Sequence, residues 1–231
     1  MAHPHVENLS QVGLFNGLSV VEIEHVISTG HLIRKHSGGF FFLQGDPANA
    51  FLVLISGRVR LGQITPEGQQ ILLRVIGPWT PFGAVALAEG ETYPISAEAA
   101  EVSEAYSWSK GSMTALTERM PVLLINAVKL MAGHVQEFQE RYRELATQRV
   151  ERRLAGTLLR LAAKTGKKTE QGVLINFPIS RQDLAEMTGT TLFTISRILS
   201  QWESKGLIVS GREKVIICHP HGLVKIAEDL K

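Results

Sequence analysis

Hydrophobic and polar residues follow a strand-like pattern in the first part of the chain and a helical pattern after it. Between Gly30 and Trp108, short runs of β-branched and aromatic residues are separated by turns rich in glycine and proline. The clearest runs cover residues 40–43, 51–55, 58–61 and 70–76. Strands of this length, with a turn every ~8–12 residues, are typical of a barrel or jelly roll. The pattern therefore predicts a β-rich roll in the first part of the chain.

Residues 122–149 follow a helical pattern instead. The stretch after Pro121 contains no further proline, and its apolar residues recur in alternating steps of four and three. Mostly β-branched residues at heptad position a and Leu-like residues at position d favour a parallel pair of helices. The predicted dimer seam consists of Leu124, Val128, Met131, Val135, Phe138, Tyr142 and Leu145. Alternatively, one helix packs on its own domain, with Ile125, Leu130 and Ala132 also available for that packing.

Residues 180–207 predict two helices joined by a tight turn. Ser180 is a good N-cap, and Asp183 three residues later can close a capping box. Gly189 suits the left-handed conformation that ends such a helix. A small residue where the helices touch, a turn glycine and an aliphatic residue on the second helix are typical of a helix-turn-helix. These places are taken by Ala185, Gly189 and Ile195.

The second helix of this pair has an apolar and a polar side. Thr190 or Thr191 caps it, and its apolar stripe contains Ile195, Ile198, Leu199 and Trp202. The residues left facing outward are Thr191, Leu192, Phe193, Ser196, Arg197 and Ser200. Such a face fits the major groove of DNA, whereas an ordinary helical hairpin is the alternative interpretation.

A hairpin is predicted directly after the helix pair. Two short β-branched runs flank Ser210, Gly211 and Arg212, and residues 173–177 supply another strand before the pair. A helix-turn-helix followed by such a hairpin is a winged helix. We therefore expect an α+β protein with a sensor roll over residues 1–115, a dimerisation helix over 116–149 and a winged helix-turn-helix over 150–231.

Composition and charge exclude several classes of protein. No run of 18 apolar residues exists, and the first residues lack the pattern of a signal peptide, so we expect a cytoplasmic protein that has no contact with membranes. The single cysteine, Cys218, excludes a disulfide framework and a four-cysteine metal or iron–sulfur site within one chain. The formal net charge is −4 before residue 148 and +6 from there on. A basic second part fits the phosphate backbone of nucleic acid.

A family resemblance rests on residues 42–73, FLQGDPANAFLVLISGRVRLGQITPEGQQILL. This segment resembles the β-roll of cyclic-nucleotide-binding domains, and together with the winged helix the chain resembles the CRP/FNR family of bacterial transcription regulators. The resemblance implies a homodimer that binds double-stranded DNA at a two-fold symmetric site and responds to a signal in the roll. It also implies that a basic loop over residues 164–172 contacts RNA polymerase.

The resemblance assigns DNA contacts residue by residue. Arg197 matches an arginine that reads guanine, and Ser196 matches a base-reading serine of the FNR branch. Leu192 and Phe193 depart from the family, which commonly has an arginine and a glutamate there, and both are expected to contact thymine methyl groups. The positions that match phosphate contacts are Arg181, Gln182, Thr191 and Thr194.

The sequence indicates less about the signal to which the roll responds than about the DNA contacts. Members that bind cAMP have a glutamate after the glycine corresponding to Gly83 and an Arg-Ser pair further on, but here these positions hold Ala84, Pro94 and Ile95. A buried phosphate without a cationic partner is costly, so cAMP is not expected. Haem stays a candidate cofactor because residues 92–99 resemble members that respond to nitric oxide. The candidate ligands are His134 beside the seam and the N-terminal His3 and His5, and the open alternatives are an unknown organic effector or none.

Catalysis is not expected. The roll lacks the His-x-His…Glu metal set of cupin enzymes, and the chain has no Gly-x-Ser-x-Gly, P-loop or Rossmann glycine signature. The remaining alternative is a non-catalytic regulatory protein whose roll binds a small effector or metal and whose winged helix contacts protein.

Overall fold

The alternating pattern of the first part of the chain produces antiparallel strands, and the later helical periods produce helices. A computed structural model defines residues 4–88 and 90–229. The chain forms two units, one from the residues up to Gln69 with Arg74–Glu137, the other from Gln70–Leu73 with the residues from Phe138 onward. The predicted α+β class is confirmed.

The first unit combines a two-sheet roll with helices from both ends of its sequence. Its helices are α1 (Val6–Ser10), α2 (Val20–Thr29), α3 (Lys110–Arg119) and the first part of α4 (Val122–Thr147). Its strands are β1 (His31–Lys35), β2 (Phe40–Phe42), β3 (Ala50–Ser56), β4 (Val59–Ile64), the last part of β5 (Gln70–Ile76), β6 (Pro81–Phe82), β7 (Ser96–Ala99) and β8 (Ser103–Ser109).

The strands form two four-stranded sheets, in the orders β1-β8-β3-β6 and β2-β7-β4-β5. Each of the four predicted runs corresponds to a strand, although Leu43 and Arg58 lie just outside β2 and β4, and residues 70–76 match β5 without a shift. Apolar residues of β3 point alternately to two cores. Phe51 and Val53 join the core formed with the helices, whereas Leu52 and Leu54 join the core between the sheets. The roll therefore holds a packed interior on both faces of β3.

Helix α4 confirms the helix predicted after Pro121. Leu123 and Asn126 are buried, and Leu130 packs on the helical core of the first unit. The side-chain amide of Asn126 donates to the carbonyls of Leu14 and Asn16, at 3.0 and 2.8 Å. One face of the helix is thus fixed to its own unit.

The second unit is the winged helix. Its elements after α4 are α5 (Val150–Thr165), β9 (Gly166–Thr169), β10 (Gly172–Ile175), α6 (Arg181–Thr188), α7 (Leu192–Ser204), β11 (Ile208–Gly211), β12 (Lys214–Ile217) and α8 (Pro220–Glu228). The strands form one antiparallel sheet in the order β11-β12-β10-β9. Leu154, Leu184, Ile195 and Trp202 are among its fully buried side chains.

Two local expectations are wrong. Residues 164–172 are not a loop, because Lys164 belongs to α5 and β9 pairs with β10 from Gly166 opposite Ile175 to Thr169 opposite Gly172. The tip of the wing lies at Arg212 and Glu213, slightly later than expected, since Ser210 and Gly211 still pair within the sheet. Glu213 adopts a left-handed conformation, with φ of 54°, to close this turn.

Candidate DNA-binding surface

Helix α6 begins and ends as the sequence predicts. The Ser180 hydroxyl accepts from the backbone N–H of Asp183, whose carboxylate accepts from the N–H of Ser180 at 2.8 Å. Gly189 ends the helix with φ of 61° and ψ of 49°. Thr191 rather than Thr190 then caps α7, since its hydroxyl accepts from the N–H of Thr194. The turn between the helices is therefore held by local hydrogen bonds on both sides.

Helix α7 presents an exposed face opposite its buried stripe. Ile195, Ile198, Leu199 and Trp202 are all buried. Leu192 is 48% exposed, Phe193 is 78% exposed, and Arg197 is exposed one turn after Phe193. Ser196 is half-buried between them. The structure thus brings the four expected base-reading residues together on one side of a single helix.

The four expected phosphate-contacting residues lie at the beginnings of α6 and α7. Arg181 is half-buried, and its guanidinium lies 3.4 Å from the Ser210 hydroxyl in the wing. Gln182 is exposed and donates to Glu186 at 3.1 Å. The hydroxyls of Thr191 and Thr194 lie 3.0 Å apart. Donors near helix N-termini are well placed for phosphate oxygens.

The wing adds cationic residues that the sequence analysis did not assign. Arg212 and Lys214 are both exposed at the β11–β12 turn. The carbonyl of Glu213 accepts from the N–H of Ile179 at 3.2 Å, so the wing turn is tied to the segment that leads into α6. The signal was present in the sequence, because the predicted hairpin turn contains Arg212 and is followed closely by Lys214.

The predicted seam residues form an exposed stripe on α4. Their exposed fractions lie between 51% and 70% for Leu124, Val128, Met131, Val135, Phe138, Tyr142 and Leu145. Leu130 packs on the core, as the alternative interpretation allowed, but Ile125 is 57% exposed and Ala132 is exposed too. The packing of α4 on the core of the first unit therefore does not use the seam.

The expected effector residues do not form one cluster. Gly83 has φ of 72°, and Ala84 begins a 3₁₀ turn, Ala84–Leu87, and packs on the core formed with the helices. Ile95 packs on the core between the sheets, and Pro94 is exposed. None of these side chains carries a charge that would hold a phosphate.

Aromatic residues occupy the core between the sheets beside Gly83. The rings of Phe42 and Tyr93 stack with centroids 3.8 Å apart, and Phe82 lies 6.0 Å from Phe42. The Tyr93 hydroxyl donates to the carbonyl of Ala50 at 2.6 Å and accepts from its N–H at 3.0 Å. Burial raises the pKa of Tyr93 above its ordinary value, so the phenol stays neutral.

The candidate haem ligands lie in different environments. Nδ1 of His5 lies 3.1 Å from the Tyr106 hydroxyl, and its ring meets the ring of Trp79 edge-on at 5.6 Å. His5 is therefore packed on the first unit. His134 is exposed on α4, and His3 lies outside the described residues. No group of three or more His, Cys, Asp or Glu residues suited to a metal ion occurs within residues 4–88 and 90–229.

Comparison with known families adds an independent finding. A family model described as the cyclic nucleotide-binding domain matches residues 33–120, and one described as the Crp-like helix-turn-helix domain matches residues 152–226. Together the two matches follow the same domain order as the two units.

The chain belongs to the CRP/FNR family.

Relatives agree with this assignment. The Bacillus subtilis anaerobic regulatory protein is 27% identical over 86% of this chain and 83% of its own length. The cyclic AMP receptor protein of Thermus thermophilus is 29% identical over 86% of this chain and 88% of its own length. The structure of the c-di-GMP-responsive regulator CLP of Xanthomonas campestris has the same fold, with a TM-score of 0.75 and 21% identity over 86% of this chain and 99% of that chain.

This CRP/FNR protein is a transcription regulator with a domain of the cyclic-nucleotide-binding type and a helix-turn-helix domain that binds DNA. Among its described residues, no helix combines the length and the hydropathy that a membrane crossing requires.

Proposed function

We propose that this regulator acts in the cytoplasm as a homodimer on a two-fold symmetric operator, under the control of a signal in the roll. The observation that carries the proposal is the face of α7, where Arg197 and Phe193 are exposed while the opposite side of the helix is buried. A helix that is anchored on one side and free on the other can enter the major groove.

Each base-reading residue has a chemical role in this proposal. Arg197 pairs with O6 and N7 of guanine, and Ser196 donates to or accepts from a neighbouring base. Leu192 and Phe193 carry no hydrogen-bonding group, so they contact the C5-methyl groups of thymine. The operator half-site should therefore contain guanine next to thymine. Arg181, Gln182, Thr191 and Thr194 hold the phosphate backbone and fix the register.

Selection of operators from random double-stranded DNA by the full-length protein tests this function. We expect half-sites in inverted repeat, about one helical turn apart, because a dimer presents two recognition helices. Binding to the selected operator should weaken steeply as salt increases, since phosphate contacts release counterions. Selection of unrelated sequences, or binding that salt leaves unchanged, would contradict the proposal and favour a winged helix that binds protein.

The dimer is proposed to form through the exposed stripe of α4. Phe138 is 70% exposed at a seam position, and a carboxylate there has no partner in an apolar interface. We expect Phe138→Glu to yield monomers in sedimentation and to lose operator binding. Glu140→Ala changes a residue two positions away that lies on the outer side of the heptad, and it should remain a dimer.

The signal is proposed to be something other than cAMP or an iron–sulfur cluster. Ala84, Pro94 and Ile95 offer no carboxylate for ribose and no cation for phosphate, and Cys218 cannot hold a cluster alone. The direct test is titration of the purified protein with cAMP, c-di-GMP and haem. A Soret band that shifts with nitric oxide would identify a haem sensor, whereas tight binding of cAMP would contradict the proposal.

The β9–β10 hairpin is proposed as a contact for RNA polymerase. Lys167 and Lys168 are exposed on β9, so they can reach an acidic surface of a partner. We expect Lys167→Glu with Lys168→Glu to leave operator binding intact and to reduce transcription in a purified system. Unchanged transcription would remove this contact from the proposal.

A further inference from the structure

The junction between α4 and α5 is held by side chains on both sides. Helix α4 ends at Thr147 and α5 begins at Val150, so only two residues separate them. The N–H of Gln148 still donates to the carbonyl of Glu144 at 2.9 Å, which continues the hydrogen-bonding pattern of α4. All residues of this junction belong to the second unit.

An ion pair connects the two helices of the junction. Arg160 on α5 donates to both carboxylate oxygens of Glu144, at 2.7 and 3.1 Å, and also to the Thr157 hydroxyl. A bidentate pair fixes the orientation of both side chains, which a single contact does not. The last turn of α4 is therefore connected to the third turn of α5.

Arg153 connects the same junction to the helix-turn-helix. Its Nε donates to the carbonyl of Thr188 at 2.9 Å, and its Nη1 donates to the carbonyl of Gln148 at 2.6 Å. The residue is only 9% exposed. Burial lowers the pKa of the Arg153 guanidinium, while the nearby Glu144 carboxylate opposes this shift. Both acceptors are carbonyls at helix ends, which favour a cation.

A third contact brings α4 directly against the turn before the recognition helix. A Cβ atom at Gly189 would lie 2.8 Å from Cδ2 of Leu145. Leu145 is thus close to the turn that joins α6 and α7. Arg153 and Leu145 thus connect the end of α4 with the end of α6 and the turn after it, while the Glu144–Arg160 pair connects α4 with α5.

We infer that Glu144 and Arg153 are positioning residues that fix the recognition helix relative to the dimer helix, and so set the half-site spacing that the dimer accepts. This inference rests on the proposed homodimer. If the seam holds the two α4 helices together, a rigid junction allows only one separation of the two α7 helices. A loosened junction allows a range of separations, and the preorganisation for one spacing is lost.

Operator spacing provides the test, because loss of general stability would weaken all operators equally. The wild-type operator is compared with versions that have one base pair inserted at or deleted from the centre. One base pair moves a half-site by about 3.4 Å and rotates it by about 35°. The variants are Glu144→Ala and Arg153→Lys, and Glu140→Ala is the matched control on the exposed side of α4. Thermal unfolding establishes that each variant folds.

The quantity that decides the result is the ratio of a protein's affinity for the original operator to its affinity for an operator of altered spacing. We expect the wild type and Glu140→Ala to lose about tenfold or more in affinity on altered spacing, and Glu144→Ala and Arg153→Lys to lose less than about threefold. If Arg153→Lys does not fold, Glu144→Ala carries the test alone, since its pair with Arg160 is partly exposed. An unchanged ratio in the folded variants overturns the inference. If the wild type itself ignores spacing, the proposed dimer on a two-fold site fails, and the inference fails with it.

Discussion

Phe193 and Arg197 lie one turn apart on the same exposed face of α7, so one helix presents an aromatic ring and a guanidinium side by side. The ring has no hydrogen-bonding group, whereas the guanidinium can donate two parallel hydrogen bonds. Two neighbouring positions of an operator would therefore be read by different physical interactions. This difference makes the two contributions separable by experiment.

Arg197→Ala should weaken binding to the selected operator by about 1–3 kcal/mol, because a bidentate contact to guanine is lost. The measurement is the dissociation constant on the operator and on a version with that guanine replaced. The variant should no longer distinguish the two sequences. Arg181→Ala is the comparison, since a lost phosphate contact weakens all sequences equally and reduces the salt slope by about 1. Equal operator binding by Arg197→Ala and wild type would contradict the assignment.

Phe193 should make binding sensitive to a single methyl group. Replacing the contacted thymine by uracil removes that methyl and should cost the wild type about 0.8 kcal/mol, the value of one buried methylene. Phe193→Ala should bind the thymine and uracil operators equally. Replacement of a thymine outside the half-site is the control. If Phe193→Ala keeps the full difference between thymine and uracil, another residue reads the methyl group.

Gly57 should tolerate alanine far less well than Gly38, although both adopt positive φ angles of 85° and 79°. A Cβ at Gly57 would lie 2.6 Å from the carbonyl oxygen of Val102, whereas a Cβ at Gly38 meets nothing within 4 Å. We expect Gly38→Ala to lower the free energy of unfolding by about 1–2 kcal/mol through its backbone alone. Gly57→Ala should cost about 1–3 kcal/mol more through overpacking. Chemical denaturation measures both, and equal losses would contradict the steric argument.

Tyr93 should make the roll sensitive to alkali. Its pKa is raised by burial in the folded state, so folding keeps a proton that the unfolded chain releases first. The stability contributed by the neutral phenol is therefore complete below about pH 10, the ordinary value for tyrosine, and is lost as the pH rises through the raised pKa. Tyr93→Phe should cost about 1 kcal/mol near neutral pH through its lost hydrogen bonds to Ala50.

Denaturation of wild type and Tyr93→Phe at pH 7 and above pH 10 checks this sign. The stability difference between the two proteins should shrink at the higher pH, because only the wild type loses the contribution of the neutral phenol. A difference that stays constant across the pH range would show that ionisation of Tyr93 is not coupled to folding.

Local periodicity predicted helices α4, α6 and α7 well, because their signals lie within a few residues. The capping box of Ser180 and Asp183, the left-handed Gly189 and the buried stripe of α7 needed no information from distant residues. The exposed stripe of α4 was equally visible, since its heptad spacing separates it from the face that carries Leu123 and Asn126.

Contacts between distant residues could not be predicted in the same way. Strand β9 was missed because Lys167 and Lys168 have no apolar alternation, and its pairing with β10 determines its conformation. Ala84 and Ile95 pack on different cores, and this separation depends on how distant strands pair. Arg153 had a weak signal, since it lies on the same side of α5 as Thr157 and Leu161, four and eight residues later, which are buried with it.

Strand β9 also has a consequence for solubility. It is the last strand of its sheet, so one side of its backbone remains unpaired and offers a template for a strand of another molecule. The two consecutive lysines place positive charge on both faces of this edge, and a second copy of the same strand would bring like charges together. The hairpin is thereby protected against self-association while it remains attractive to an acidic surface.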